Sequence, residues 1–198
     1  MITLREAISL TLDIYNKKPQ KLPLDDYLEH VTEVGACASV LAAACGLDVM
    51  KAGVLGYCHD IGKIISNEKQ EKTFHGLSGY EYFKSKGEEE LAQVCLSHSF
   101  SSKNFEINEY ISYGKDNIEK TKSILDKMEL TDYDRIIELS DLLVCIGYVN
   151  LKDRMRYIEY TYSIDHKHIR KKYKNAIKLK RYLEAKYGIN IYKLLGIK

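Results

Sequence analysis

Six side chains able to hold a divalent cation recur between residues 30 and 141: His30, the neighbours His59 and Asp60 in YCHDIGK, His75 in FHGLSGY, His98 in CLSHSF and Asp141 in ELSDLLV. Metal chemistry needs imidazoles and carboxylates that face inward and converge. A His-Asp pair alone is weak, because six histidines in 198 residues produce such neighbours by chance. Position carries more weight. His98 follows Leu91 and Cys95 by seven and three residues and continues their core-facing stripe. Asp141 lies in IIELSDLLVCIGYV and shares a face with Ile137, Val144 and Tyr148. An unpaired buried carboxylate costs on the order of several kcal/mol, so Asp141 must bind a metal or pair with Arg135 or Arg154. Together the six residues point to a shared metal site.

The elements that must position them read as helices. Periodic apolar residues predict one over Ile2 to Tyr15 and a second after LPLDD, with Asp26 and Glu29 as its capping box and Gly46 as its stop. His30 falls one turn into that second helix. A third is expected from Asp48 to Gly62, so that His59 and Asp60 lie at its end and Gly62 closes it. A fourth, with His75 at its mouth, closes at Gly87, and a fifth runs from Glu88 to His98. The polar, aperiodic stretch from Ser99 to Asp116 reads as a long loop that shapes specificity. Helices resume over Ile118 to Met128, over Thr131 to Val149 with Thr131 and Asp134 as caps, and over Ile169 to Tyr187. No repeat, strand run or linker interrupts them. The expected fold class is all-α, with residues 1–198 as one domain.

Bulk properties narrow the setting. Hydrophobic content of 45% and charged content of 29% are those of a globular chain rather than a disordered one. A net charge of +2 gives no global case for nucleic acid or membrane. Five cysteines without a C-x-x-C pair fit buried thiols in a reducing compartment. The N-terminus carries charge at Arg5 and Glu6, and the stretch Val34 to Leu47, 14 residues rich in Ala and Gly, is too short to span a bilayer. Cytoplasm is the expected location. One segment is locally unbalanced: His166 to Lys186 holds nine Lys or Arg against one Glu, with Ile169, Tyr173, Ala176, Ile177 and Leu183 as an apolar stripe. Such a face is usually solvated surface, and polyanion contact is its functional reading. His166 and His168 belong there and not to the metal site.

The ordered pattern of His30, then HDIGK with His59 and Asp60, then Asp141 in ELSDLLV resembles the HD-domain metal-dependent phosphohydrolases, and the Gly-Lys extension resembles their HDIG variant. The resemblance covers about Asp25 to Val149 and implies an HD-domain helical bundle, with a basic extension over about 150–198. The RYLEAKYGINIYKLL tail is similar to the C-termini of small stand-alone bacterial HD proteins. His75 and His98 resemble the two further histidines of a six-ligand subgroup, which includes the bacterial symmetrical diadenosine-tetraphosphate hydrolases and the HD-GYP cyclic-dinucleotide phosphodiesterases. This chain lacks the Gly-Tyr-Pro of the latter. Deoxynucleotide monophosphatases of the superfamily bind one metal and lack both extra histidines.

The resemblance implies that His30, His59 and Asp141 hold one divalent ion, that His75 and His98 hold another, and that Asp60 bridges them. Iron comes first, with manganese, zinc and nickel also suited to such nitrogen and oxygen donors. Ions about 3.5–4 Å apart would share a hydroxide, whose pKa near 7 makes it a nucleophile at neutral pH. Asp60 and Lys63 are the expected catalytic residues, Lys63 near the substrate phosphate. The bland role for Lys63 is to offset a helix dipole. Gly76 and Gly79 are expected to let backbone approach the site. The implied substrate is a nucleotide or similar small phosphorylated molecule, with no membrane partner and a homodimer allowed; nucleic acid is a lesser candidate. The alternative is a catalytically weak, nucleotide-sensing or RNA-associated HD protein using the basic helix.

Overall fold

The computed structural model describes residues 1–17, 22–65, 74–100 and 114–198, and its architecture is helical apart from one minimal hairpin. Helix α1 (Leu4–Tyr15) opens on a capping box between Thr3 and Glu6. Helix α2 (Leu24–Ala44) begins directly after Pro23 and not at the expected Asp26 box. Pro23 is extended at φ −57° and ψ 141°, and the helix starts as soon as the chain leaves it. Asp25 and Asp26 therefore lie inside the first turn, where their charge complements the dipole. The far end matches expectation. Gly46 at φ +68° lets Leu47 N–H reach back to Ala42 C=O, a Schellman closure.

Helix α3 (Val49–Cys58), capped by Asp48, stops four residues before the expected Gly62. Its hydrogen bonds then tighten: Ile61 N–H donates to Cys58 C=O and Lys63 N–H to Asp60 C=O. Gly62 does not end a helix. It begins the short α4 (Gly62–Ile65). A Cβ there would stand 1.8 Å from the backbone oxygen of His75, so Gly62 is where α4 touches α5 (His75–Ser85). Helix α5 closes at Gly87, as expected, and α6 (Glu89–Ser97) follows. Gly76 and Gly79 let α5 lie on α6, since a Cβ on either would come within 3.0 Å of Cys95. Of the expected loop from Ser99 to Asp116, residues 101–113 lie outside the described residues.

Helix α7 (Lys115–Lys127) leads to α8 (Asp132–Leu143), whose Thr131–Asp134 capping box forms as expected. The expected continuation to Val149 does not form. Val144–Cys145 (β1) and Gly147–Tyr148 (β2) fold back as a two-residue antiparallel hairpin, with Gly147 at φ +71°. A periodic face cannot hold a helix through a glycine that is needed in the left-handed region. The reversal starts α9 (Leu151–Tyr162), capped by Asn150, which has no counterpart among the expected helices. Helix α10 (His166–Tyr187) starts three residues earlier than expected, and α11 (Ile191–Leu194) closes the chain.

The larger of two hydrophobic clusters among the described residues draws on Val31, Val34 and Leu41 of α2, Leu55 of α3, Ile136 and Leu139 of α8, and Ile169, Ala176 and Leu183 of α10. Burying each of these Val, Leu and Ile side chains contributes roughly 1.5–3 kcal/mol. Helices α2 and α3 cross closely, because a Cβ on Gly56 would lie 2.8 Å from the Gly35 Cα. That crossing brings His30 within reach of the end of α3. All five cysteines are free, four of them buried. No helix of the described residues is long and apolar enough to cross a membrane.

Candidate metal centre

Each of the six candidate residues sits where a helix begins, ends or faces inward. His30 lies in α2 beside the buried Val31. His59 and Asp60 fill the turn after α3, His75 opens α5, His98 ends α6, and Asp141 occupies the last turn of α8. The fold brings all six together. Asp60 is the centre: its Oδ2 lies 3.3 Å from His30 Nε2 and 3.4 Å from His59 Nε2. Its Oδ1 lies 3.4 Å from His75 Nε2 and 3.5 Å from His98 Nε2. Asp141 Oδ1 stands 3.3 Å from His30 Nε2 and 3.8 Å from His59 Nε2. Two groups sharing Asp60 therefore have the spacing to hold an ion, His30–His59–Asp60 and Asp60–His75–His98, each with donor atoms within 4.8 Å of one another.

The imidazoles are aimed from behind. His59 Nδ1 contacts Gly56 C=O at 2.6 Å, and His98 Nδ1 contacts Val94 C=O at 3.1 Å. A carbonyl only accepts, so each Nδ1 carries a proton and each ring turns its Nε2 to the centre. Carbonyl contacts of this kind fix ring orientation at metal sites. His59 Nε2, His30 Nε2 and Asp60 Oδ1 are buried with no hydrogen-bond partner among the described residues. Leaving such atoms unsatisfied costs about 1–3 kcal/mol each, and a cation would satisfy all three. The donor set thus fits a divalent metal. Thiolates do not compete, because burial pushes the nearby Cys58 thiol up to about 12 and Cys95 higher than its usual value.

Electrostatics divides the site. Burial opposes charge on His30, but Asp141 and Asp60 reverse this and raise it to about 9. Burial and the neighbouring His59 push His98 down to about 3. Burial works against ionised Asp60, yet Lys63 and His59 hold its carboxyl well below the usual range. Burial likewise opposes charge on Asp141, and its contact with His30 overcomes it. Lys63 Nζ is bonded to Asp60 Oδ2, and its ammonium form is favoured by Asp60 and Asp141 despite burial. The side chains of His59, Asp60 and His98 are at most 3% exposed and form a floor, while His30, Asp141, His75 and Lys63, at 22–38%, form a mouth.

Of the two arginines weighed as partners of Asp141, Arg154 approaches it, at 3.8 Å, whereas Arg135 pairs with Asp132. Ser99 is a neighbour that sequence reasoning missed, its Oγ 3.1 Å from His98 Nε2. Tyr27 is another: buried, its phenol is pushed far up by burial and by Asp60. Its place one turn before His30 was the signal available. His166 and His168 lie outside the site, against Glu159 and Asp165.

Residues 27–144 match the family model described as "HD domain". Over 72 residues, 36% of this chain, the sequence is 38% identical to Ribonuclease Y of Fusobacterium nucleatum and 39% identical to Ribonuclease Y of Nitratidesulfovibrio vulgaris. The matched stretch spans 14% of each of these relatives. No solved structure matches the chain. With more than half its length matched, and with its histidines and aspartates converging as they do, the chain belongs to the HD-domain family, a superfamily of metal-dependent phosphohydrolases.

Proposed function

We propose that the protein hydrolyses a phosphoester or phosphoanhydride of a nucleotide or similar small phosphorylated molecule, using two divalent ions bound on either side of Asp60. The observation that carries this reading is the division of the Asp60 carboxylate, one oxygen facing His30 and His59 and the other facing His75 and His98. His30, His59, Asp141 and Asp60 Oδ2 would hold one ion; His75, His98 and Asp60 Oδ1 would hold the other. Iron is the first expectation, ahead of manganese, zinc or nickel. Bound ions supply Lewis acidity and a water-derived nucleophile at neutral pH.

The chain's own residues do the rest. Gly56 and Val94 carbonyls keep His59 and His98 in the tautomer with a free Nε2. Lys63 keeps Asp60 ionised and presents a cation at the mouth, where a phosphoryl oxygen would meet it. The buried floor excludes water from behind the reacting group. The six donors favour the subgroup similar to symmetrical diadenosine-tetraphosphate hydrolases, and free, buried cysteines favour a reducing cytoplasm.

The test is elemental analysis of protein purified without chelator, followed by a screen of mononucleotides, dinucleoside polyphosphates and simple phosphoesters. About two ions per chain and metal-dependent turnover are expected. Protein that binds no metal, or that is loaded yet turns over none of these esters, refutes the reading.

RNA is the second reading. Two observations favour it: the partial relatives are named Ribonuclease Y, and α10 exposes Lys167, Arg170, Lys172, Lys174, Lys178 and Arg181. RNA affinity that falls steeply with salt and survives His59→Ala would support a polyanion-binding role for α10.

A further inference from the structure

Helix α9, which lies outside the expected helices, carries Arg154 to the site. Asn150 caps it, and Leu151, Met155 and Ile158 seat it in the core. Tyr192 OH accepts from Leu151 N–H at 3.0 Å and anchors its first turn. This seating delivers Arg154 to Asp141, with its guanidinium Nη2 3.8 Å from Asp141 Oδ1 and its Cζ 5.5 Å from the Tyr157 ring centroid. The side chain is 14% exposed, and its Nε is buried with no hydrogen-bond partner among the described residues.

That arrangement underuses the arginine. A guanidinium offers five donors in a fixed fork, and one contact at 3.8 Å is too long to be a hydrogen bond. Asp141 Oδ1 is also the oxygen that faces His30 and His59, so it already serves the histidine cluster. Leaving a buried charged donor unmet is costly, which argues for an acceptor that arrives from outside. The fork matches the oxygens of a phosphoryl group, which arginine binds bidentately where lysine acts as a point charge. The site then has two cations at its mouth, Lys63 beside Asp60 and Arg154 beside Asp141, and His30 Nε2 lies 3.3 Å from both carboxylates.

We propose that Arg154 is a substrate-binding residue whose guanidinium takes the non-bridging oxygens of the phosphoryl group. This rests on the phosphohydrolase reading above, and it assigns phosphate recognition to a helix lying beyond the matched residues 27–144.

The test is calorimetric titration of manganese-loaded protein with inorganic phosphate, beside metal content and the KM and kcat for p-nitrophenyl phosphate and bis(p-nitrophenyl) phosphate. Arg154→Gln is expected to weaken phosphate binding by about 10- to 100-fold with metal content unchanged, and Arg154→Lys to recover part of the loss. Two results overturn the inference. One is phosphate affinity in Arg154→Gln within about twofold of the unaltered protein. The other is loss of bound metal together with phosphate, which would make Arg154 a residue that orients Asp141. Should Arg154→Gln fail to fold, Arg154→Met keeps the apolar stem and reads the same affinity. Absence of turnover in the unaltered protein, with phosphate affinity still dependent on Arg154, would sink the small-substrate reading and leave this inference standing.

Discussion

The two sides of Asp60 are built from similar histidines yet differ in charge. On the His30–His59 side stand two carboxylates, a lysine and an arginine, and His30 is raised to about 9. On the His75–His98 side, among the described residues, Asp60 Oδ1 faces both rings, the Ser99 hydroxyl lies beside His98, and His98 is lowered to about 3. A histidine near two anions gains a proton, and one buried between other imidazoles loses it. The contrast teaches that the ligands are unequal: the side with more anionic donors should bind a divalent ion more tightly, and the other should empty first.

The largest effect should come from removing what the two sides share. Asp60→Ala is expected to drop metal content from about two ions per chain to well below one and to abolish turnover. Retention of two ions would break the bridged arrangement. Next in size is the paired test, His59→Ala against His98→Ala. Elemental analysis should find about one ion left in His98→Ala and fewer in His59→Ala, because the second substitution strikes the side with two carboxylates. Equal losses would erase the proposed inequality.

Gly62→Ala probes the backbone contact that joins the two sides. Its Cβ would meet His75 O at 1.8 Å and Gly79 N at 2.9 Å, backbone atoms that cannot swing aside. A loss of about 3 kcal/mol is expected in chemical denaturation. An unaltered midpoint would show that α4 and α5 can separate without strain.

The smallest effect is on pH, read in chelator-treated protein. His98 folds neutral with its pKa lowered to about 3, so its contribution is intact above the unfolded value near 6.5 and is lost as pH falls below it. His30, raised to about 9, contributes fully below 6.5 and loses that contribution as pH rises toward 9. Stability without metal should therefore fall in both directions, by on the order of 2 kcal/mol on each side. His98→Gln should flatten the acid limb and His30→Gln the alkaline one. A single limb governed by both substitutions would contradict the electrostatic division.

Much of this was legible in the chain. His98 could be placed inward because Leu91 and Cys95 precede it at helical spacing, and Asp141 because apolar residues flank it. His98 is buried, as the periodicity implied, while Asp141 faces the cluster but stays partly exposed. Helix ends marked by glycine at Gly46 and Gly87 also held, since a positive φ is a local requirement. Other signals misled for equally physical reasons. Asp26 had the residue types of a cap, but Pro23 started the helix earlier. Gly62 had the look of a stop, yet its small size serves a contact with His75 thirteen residues on, which no local pattern records. Helix α9 is hard to see in the sequence, although Asn150 and Asp153 are a good start signal, because the apolar face before it keeps helical spacing through Val149.

By itself, then, the sequence determined the helical class and set six candidate histidines and aspartates at helix ends or on inner faces, because periodicity and capping act within a few residues of the chain. Only the tertiary structure decided which oxygen of Asp60 faces which pair of histidines, that Lys63 rests on that carboxylate, and that the hairpin after Asp141 turns Arg154 back to the site. Those outcomes depend on how helices cross, at Gly35 against Gly56 and at Gly62 against His75, where the closeness of two backbones is set by both partners at once.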